Sequence, residues 1–431
     1  MSFDLSRRSL FVAGAALLTA GRALAEAPAT LSLAVPPADS LATDEKFWAE
    51  VRGLYDVTNE ITNLENGYWG SMAEPVHQTF EDLTRRINHE GSYYARRKFD
   101  DDTEVSRAEV ATELNVTPEE IVITRGASEA LQNLISGDNR LQPGDAVLYA
   151  DLDYDAMIYA MQHLKAQRGV EVVSIDLPEP ATRESVLKAY VDAFDANPNL
   201  KLMLLTHVSH RTGLIPPVAE IAAEAKSRGI DVILDAAHSW GQVDFTPADL
   251  PGVDFIGFNL HKWIGNPQGA GAIYIRKDRI AAIDPYLGDQ DWDEGDIRAR
   301  AHTGTPNMAA WVTIPAALSL HRQITAPAKQ ARVTHLRNIW VDAVADLPEV
   351  QVLTPNDPAM HAGITSFRLA GKTTREENVA LAGRLADEFG VFTTRRGGVA
   401  AGNCVRVTPF LYSTEADVMK LANALRTITR G

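Results

Sequence analysis

The chain has 431 residues, 45% of them hydrophobic and 23% charged, an ordinary globular balance with core enough for one large domain and a smaller one. A formal net charge of −16 argues against a nucleic-acid binder or a protein held on anionic lipid. A single cysteine, Cys404, excludes an internal disulfide and a cysteine metal cluster, and no metal site is expected.

The first segment reads as an address. Arg7 and Arg8 precede the apolar run Leu10 to Ala20, and Ala23-Leu24-Ala25 forms a small-x-small cleavage site. The run is too short and too rich in Ala and Gly to span a bilayer. Adjacent arginines here resemble a twin-arginine export signal over residues 1–25, with a plain secretory signal as the alternative. The expected mature protein starts near Glu26, is periplasmic and carries no membrane anchor.

Residues 26–65 read as a Pro/Ala-rich arm leading into a helix near Asp44–Tyr55. Asn66-Gly67-Tyr68-Trp69-Gly70 follows as a turn that presents aromatic rings, or alternatively as a capping turn over the core. Residues 75–114 have helical periodicity and carry the basic cluster Arg96-Arg97-Lys98, a solvated face or a meeting point for an anion. Ile121–Thr124 is a short strand that runs into Gly126-Ala127-Ser128, where a helix opens. A glycine turn, a helix N-terminus and a hydroxyl in the first turn form a phosphate cradle, although a serine N-cap without a ligand has the same pattern.

Strands are expected at Ala146–Tyr149, Val170–Ile175 and Leu202–Thr206, with helices over 156–167, 183–195 and 217–228. The tip after the first of these strands, Asp153-Tyr154-Asp155, can lay an aromatic over a flat ring, and His207 to Gly213 is the tip loop after the third. Val232-Ile233-Leu234 ends on Asp235, and Phe255–Phe258 leads to Asn259, His261 and Lys262. Short apolar runs closed by polar groups are buried parallel strands with functional tips. Strand and helix alternate throughout, which indicates a doubly wound parallel α/β sheet with ligands at the carboxyl ends of its strands. A carboxylate at one tip and a lysine 27 residues later at the next match the needs of pyridoxal 5'-phosphate (PLP). The lysine holds the cofactor covalently, and the carboxylate keeps the pyridine nitrogen protonated so that the ring accepts electrons.

Gly265 to Ala272 is glycine-rich and leads into a strand at Ile273–Ile275; residues 285–307 are irregular and end in His302-Thr303-Gly304-Thr305-Pro306-Asn307. The large domain is expected over 66–310. A smaller α+β domain over 311–431 begins with a long helix from Trp311. It continues through Gly363–Leu369, Arg375–Phe389, Gly390–Thr394, Cys404–Thr408 and a last helix over Thr414–Ile428.

The segments NLENGYWG, TRGASEAL, THVSHRTG, DAAHSWG, FNLHKW and HTGTPN, in this order over about residues 60–430, resemble the class V aminotransferase family of fold-type I PLP enzymes. Within it the chain is most similar to isopenicillin N epimerase-like proteins. The resemblance implies that Lys262 forms the Schiff base and shuttles the Cα proton, that Asp235 pairs with the pyridine nitrogen and that His238 donates to the ring hydroxyl. It implies phosphate contacts from Gly126, Ala127 and Ser128, joined by Asn259 and His261, and ring stacking by Tyr154 or Asp155, with Tyr154 favoured.

Thr305 matches a phosphate ligand that each subunit donates to the other, which implies a homodimer with shared sites. Arg406 matches the arginine that clamps a substrate α-carboxylate; Arg395 is a second anion candidate, and Asn66 and Tyr68 face the substrate. Two departures stand out. The loop Arg395 to Gly402 lacks the nucleophilic cysteine of the family's desulfurases, and Cys404 already belongs to the following strand. His210 replaces the more usual asparagine near the ring, which makes it a candidate for proton transfer.

The expected activity is chemistry at the Cα of an amino acid or of a residue in a small peptide, of aminotransferase type. Epimerisation and β-elimination are the enzymatic alternatives. A periplasmic solute-binding protein is the rival from outside enzymology, but it has no need of a lysine after Asn259 and His261.

Overall fold

The structure, a computed structural model, describes residues 33–430. The export signal and its cleavage site lie outside the described residues.

Seven strands form one sheet. Their spatial order is Ile121–Thr124, Gly271–Ile275, Phe255–Asn259, Asp231–Asp235, Leu200–Thr206, Ala146–Ala150 and Glu171–Ile175. Gly271–Ile275 runs antiparallel to both neighbours, and the remaining pairings are parallel. The three strands at 231–235, 255–259 and 271–275 are buried at every residue, because helices cover both faces of the sheet. This is the doubly wound α/β architecture that the alternation predicts and the fold-type I arrangement that the resemblance implies, with one antiparallel strand.

Helix boundaries follow local chemistry. Asp44 caps the first helix, Glu45–Arg52, by accepting from the Phe47 N–H at 3.0 Å, and Thr182 and Thr374 open Arg183–Ala196 and Arg375–Phe389 as capping boxes. The single long helix expected from Trp311 is three helices, Met308–Val312, Ile314–Ile324 and Ala326–Ala343. Proline stands near the start of each of the last two, where its missing N–H costs nothing but an uninterrupted helix is barred. Thr325 adds a break at φ 77°.

The C-terminal part has a four-stranded antiparallel sheet in the order Thr394–Arg396, Cys404–Val407, Thr365–Leu369 and Val350–Val352; sequence reading missed the last of these, and the strand expected at Gly390–Thr394 is split into Val391–Phe392, outside this sheet, and Thr394–Arg396. The arm is tied into this region. Thr62–Asn63 pairs in parallel with Val391–Phe392, and Glu65 bridges to Thr408. The aromatic turn after Glu65 is thereby held between the two sheets.

Two glycine contacts set the cradle against the antiparallel strand and the aromatic turn against the lysine loop. A Cβ on Gly271 would overlap the backbone of Gly126, and one on Gly70 would strike the carbonyl of Lys262. Gly271→Ala is expected to destabilise the protein by ~1–3 kcal/mol through forced backbone movement, measured as a lowered midpoint in chemical denaturation.

Candidate active site

The carboxyl ends of the strands converge on a cavity of about 660 Å³ lined by Gly126, Ala127, Ser128, Tyr154, His210, Asp235, His238, Asn259, His261 and Lys262. Its outer wall holds Gly67, Tyr68, Trp69, Arg396 and Arg406. Ten of the residues singled out in the sequence therefore meet along one wall of one cavity.

Lys262 is the centre of the arrangement. Its Nζ lies 3.0 Å from His238 Nε2, and His238 Nδ1 accepts from the Trp263 indole N–H at 3.3 Å. An indole can only donate, so the neutral imidazole carries its proton on Nε2 and presents it to the lysine nitrogen. Burial, with Lys262, Arg406 and other cations nearby, holds His238 well below the usual histidine range. Burial also lowers the Lys262 pKa to about 8; Asp235 opposes this drop, whereas Arg406 and Arg396 reinforce it. Asp235 is buried, and burial raises its carboxyl above the usual carboxylate range against the Ala237 N–H, which donates to Oδ1 at 2.9 Å, and Lys262. A cation at this carboxylate is what would keep it ionised.

At the cradle, Asn259 Oδ1 accepts from the Ala127 N–H at 2.7 Å. That amide is thus committed to bracing the turn, and the Ser128 hydroxyl with the following amides of Ala127–Gly137 is left for an anion. His261 lines the same end, and burial depresses its pKa to about 4.

Tyr154 stands edge-on to His210, with ring centroids 5.1 Å apart, and lines the cavity. Asp155 turns away to Arg211, which donates to it at 2.6 Å, so the tyrosine is the member of this pair that faces the site. The His210 ring lies 6.4 Å from that of His238 at an interplanar angle of 20°; its Nδ1 is buried without a partner, and burial beside Arg211 and Arg406 holds it neutral.

Three expected residues fall elsewhere. Arg395 does not line the cavity and donates to Asn403 at 2.9 Å, whereas its neighbour Arg396 does line it. The strand period of two explains the exchange: Arg395 pairs with Val405 across the sheet, so Arg396 shares a face with Arg406. Thr305 is exposed and outside the cavity. Asn66 is buried just behind the wall, with Tyr412 donating to its Oδ1 at 3.5 Å.

Sequence reading also missed Glu65, which accepts from Arg406, and Lys329, which donates to the Trp263 carbonyl at 2.7 Å and so braces the residue after Lys262. Both gain their meaning from contacts remote in sequence. Cys404 is buried in its strand outside the cavity, and burial pushes its thiol up to about 11.

Over residues 75–421 the sequence matches the class V aminotransferase family, and the chain belongs to it. It is 25% identical to isopenicillin N epimerase of Streptomyces clavuligerus over 400 residues, covering 89% of this chain and 98% of that one. It is 27% identical to a cysteine desulfurase of Serratia proteamaculans over 368 residues, 79% of this chain and 86% of the relative. Among solved structures, the cysteine desulfurase of Thermococcus onnurineus superimposes with a TM-score of 0.75 at 22% identity, covering 89% and 98% of the two chains.

The family's enzymes use PLP, and this chain is a PLP-dependent enzyme of that family. The cavity fits the cofactor: a helix N-terminus for the phosphate, a buried acid for the ring nitrogen, an Nε2–H donor for the ring hydroxyl and a lysine poised near neutrality. Because only the neutral amine attacks an aldehyde, covalent uptake of PLP by the cofactor-free protein should quicken as pH rises through about 8. An ordinary lysine would respond only near ~10.4. Stopped-flow absorbance across pH 6–11 (roughly the span of these two values) reads the midpoint.

Proposed function

We propose that the protein carries out aminotransferase-type chemistry at the Cα of an amino acid or of an amino-acid residue in a small peptide, in the periplasm. The observation that carries this reading is Lys262: half-buried, near neutrality and in contact with the proton-bearing face of His238. PLP, when bound, supplies an electron sink for negative charge at Cα. Lys262 would take the Cα proton and, for amino-group transfer, would deliver it to the cofactor side of the new C–N double bond instead of back to Cα. His238 orients the lysine, and Asp235 holds the positive charge that makes the sink effective. Arg396 and Arg406 make the outer wall cationic, which suits an anionic group on the substrate. Tyr154 and His210 bound the space that a flat ring would occupy, and exposed Tyr68 and Trp69 form an aromatic rim for a larger substrate.

A second reading is Cα epimerisation, which requires a second acid opposite Lys262. His210 favours it, because its unpartnered Nδ1 belongs to a ring that faces the cavity. The likeness to the isopenicillin N epimerase of Streptomyces clavuligerus supports the same reading. β-Elimination is a third branch; desulfuration through a cysteine nucleophile is disfavoured by the burial of Cys404 and its raised pKa.

The family's shared-site arrangement, with Thr305 exposed outside the cavity, supports a homodimer in which each subunit's Thr305 completes the other's phosphate site. Export before the mature start near Glu26 and delivery to the periplasm rest on the twin-arginine pattern of the first residues. No described helix is long and apolar enough to cross a membrane.

Incubating the holoenzyme with D- and L-amino acids in deuterated water tests the reading. Cα deuterium incorporation with keto-acid formation is expected; inversion without keto acid would mark the epimerase. Lys262→Ala should lower the exchange rate by ~10²–10⁴-fold, the usual contribution of a positioned acid–base group, and undiminished exchange would refute the assignment.

A further inference from the structure

Outside the cavity, a chain of polar side chains runs from the surface to the backbone of Trp263. Three helices supply it: Phe99–Glu113, Ile314–Ile324 and Ala326–Ala343. Lys329 Nζ donates to the Trp263 carbonyl at 2.7 Å and lies 3.1 Å from His321 Nδ1. His321 Nε2 lies 3.4 Å from Glu113 Oε1, and Glu113 Oε2 accepts from Arg322 Nη1 at 3.2 Å. Lys329 and His321 are buried, and Arg322 reaches solvent.

An ammonium has donors only, so with Lys329 charged His321 Nδ1 accepts and the imidazole proton sits on Nε2, toward Glu113. Burial, with Lys329 and Arg322 nearby, holds His321 well below the usual histidine range. The chain ends on a backbone carbonyl, which has no proton to pass on, so it holds and does not conduct.

Trp263 links this chain to the site. Its carbonyl is seated on Gly241, where an added Cβ would lie 2.7 Å from the carbonyl carbon. Its indole packs on Phe410, with ring centroids 5.8 Å apart, and Phe410 also lies 6.0 Å from Lys329 Nζ. The indole N–H donates to His238 Nδ1, and His238 Nε2 meets Lys262 Nζ. Lys329 therefore grips one end of residue 263 while the other end fixes the imidazole.

We propose that Lys329 is a positioning residue: by holding the Trp263 carbonyl it fixes the indole that keeps the Nε2–H of His238 aimed at Lys262. The inference deepens the reading of Lys262 as the acting amine and rests on it.

The direction of the effect follows from the donor. An N–H aimed at Nζ favours the neutral amine, because an ammonium has no lone pair to accept it. Released from the indole, the imidazole can move its proton to Nδ1 and accept from the ammonium through Nε2. Loss of the brace therefore raises the proton affinity of Lys262. Asp235, Glu65, Arg396 and Arg406 act on Lys262 by charge, and His210, His238 and His261 face it; all of these stay in place in the variants below.

The test reads the pH midpoint of covalent PLP uptake by the cofactor-free full chain, about 8 in the wild type. Lys329→Met keeps the length and the apolar stem and removes the donor. Trp263→Phe keeps the packing on Phe410 and removes the indole N–H. Each should raise the midpoint by ~1 unit, which slows uptake ~10-fold at roughly pH 7. The double variant should match either single variant within ~0.3 unit, because both changes break one linkage.

An unshifted or lowered midpoint in either single variant overturns the proposal. Additive shifts in the double variant overturn it too, since Lys329 would then act by its charge and not through Trp263. Trp263→Phe alone still decides against the linkage if Lys329→Met does not fold. A wild-type midpoint near ~10.4 would instead refute the reading of Lys262 as the depressed, acting amine, and this inference with it.

Discussion

The contact between Lys262 Nζ and His238 Nε2 sets the chemistry of the whole site. A half-buried lysine amine that is to act as nucleophile and base is useful only if it is neutral for part of its time, and neutrality here has three physical sources. Burial penalises the ammonium; Arg406 and Arg396 repel it; and the indole of Trp263 fixes the imidazole so that it offers a proton instead of competing for one. Asp235 opposes the shift, so the amine settles near pH 8, within reach of both protonation states.

The sheet makes that contact possible. Neighbouring parallel strands end at Thr206, Asp235 and Asn259, and their tips bring acid, histidine and lysine together although 27 residues separate Asp235 from Lys262. The antiparallel strand Gly271–Ile275 lies between the cradle strand and the lysine strand, and the absence of a side chain at Gly271 lets the Gly126 turn approach. Backbone approach at Gly271 and Gly70, with the Asn259 and Lys329 side chains as braces, therefore positions the cradle and the lysine.

Much of this inner shell was legible in the sequence because it is local. Strand tips, the glycine turn before Ser128 and the run Asn259 to Lys262 are short patterns whose chemistry travels with them. The outer wall was less legible because it is assembled from segments hundreds of residues apart. Glu65 reads as one charge in an arm until its bridge to Thr408 brings it to Arg406. Arg395 and Arg396 are indistinguishable until the pairing of 394–396 with 404–406 decides which one turns inward. Lys329 reads as an ordinary helical cation until its helix is seen to close on the Trp263 carbonyl, where burial lowers its pKa to about 7.

That second depressed lysine makes one measurement especially direct. Borohydride reduction of the holoenzyme, followed by peptide mass mapping, reports which amine holds the cofactor. Lys262 opens on the cavity, whereas Lys329 is fully buried and outside it, so access, and not acidity alone, decides the outcome. The account predicts a single reduced pyridoxyl adduct on the peptide containing Lys262. An adduct on Lys329 or any other lysine, with Lys262 unmodified, would contradict it.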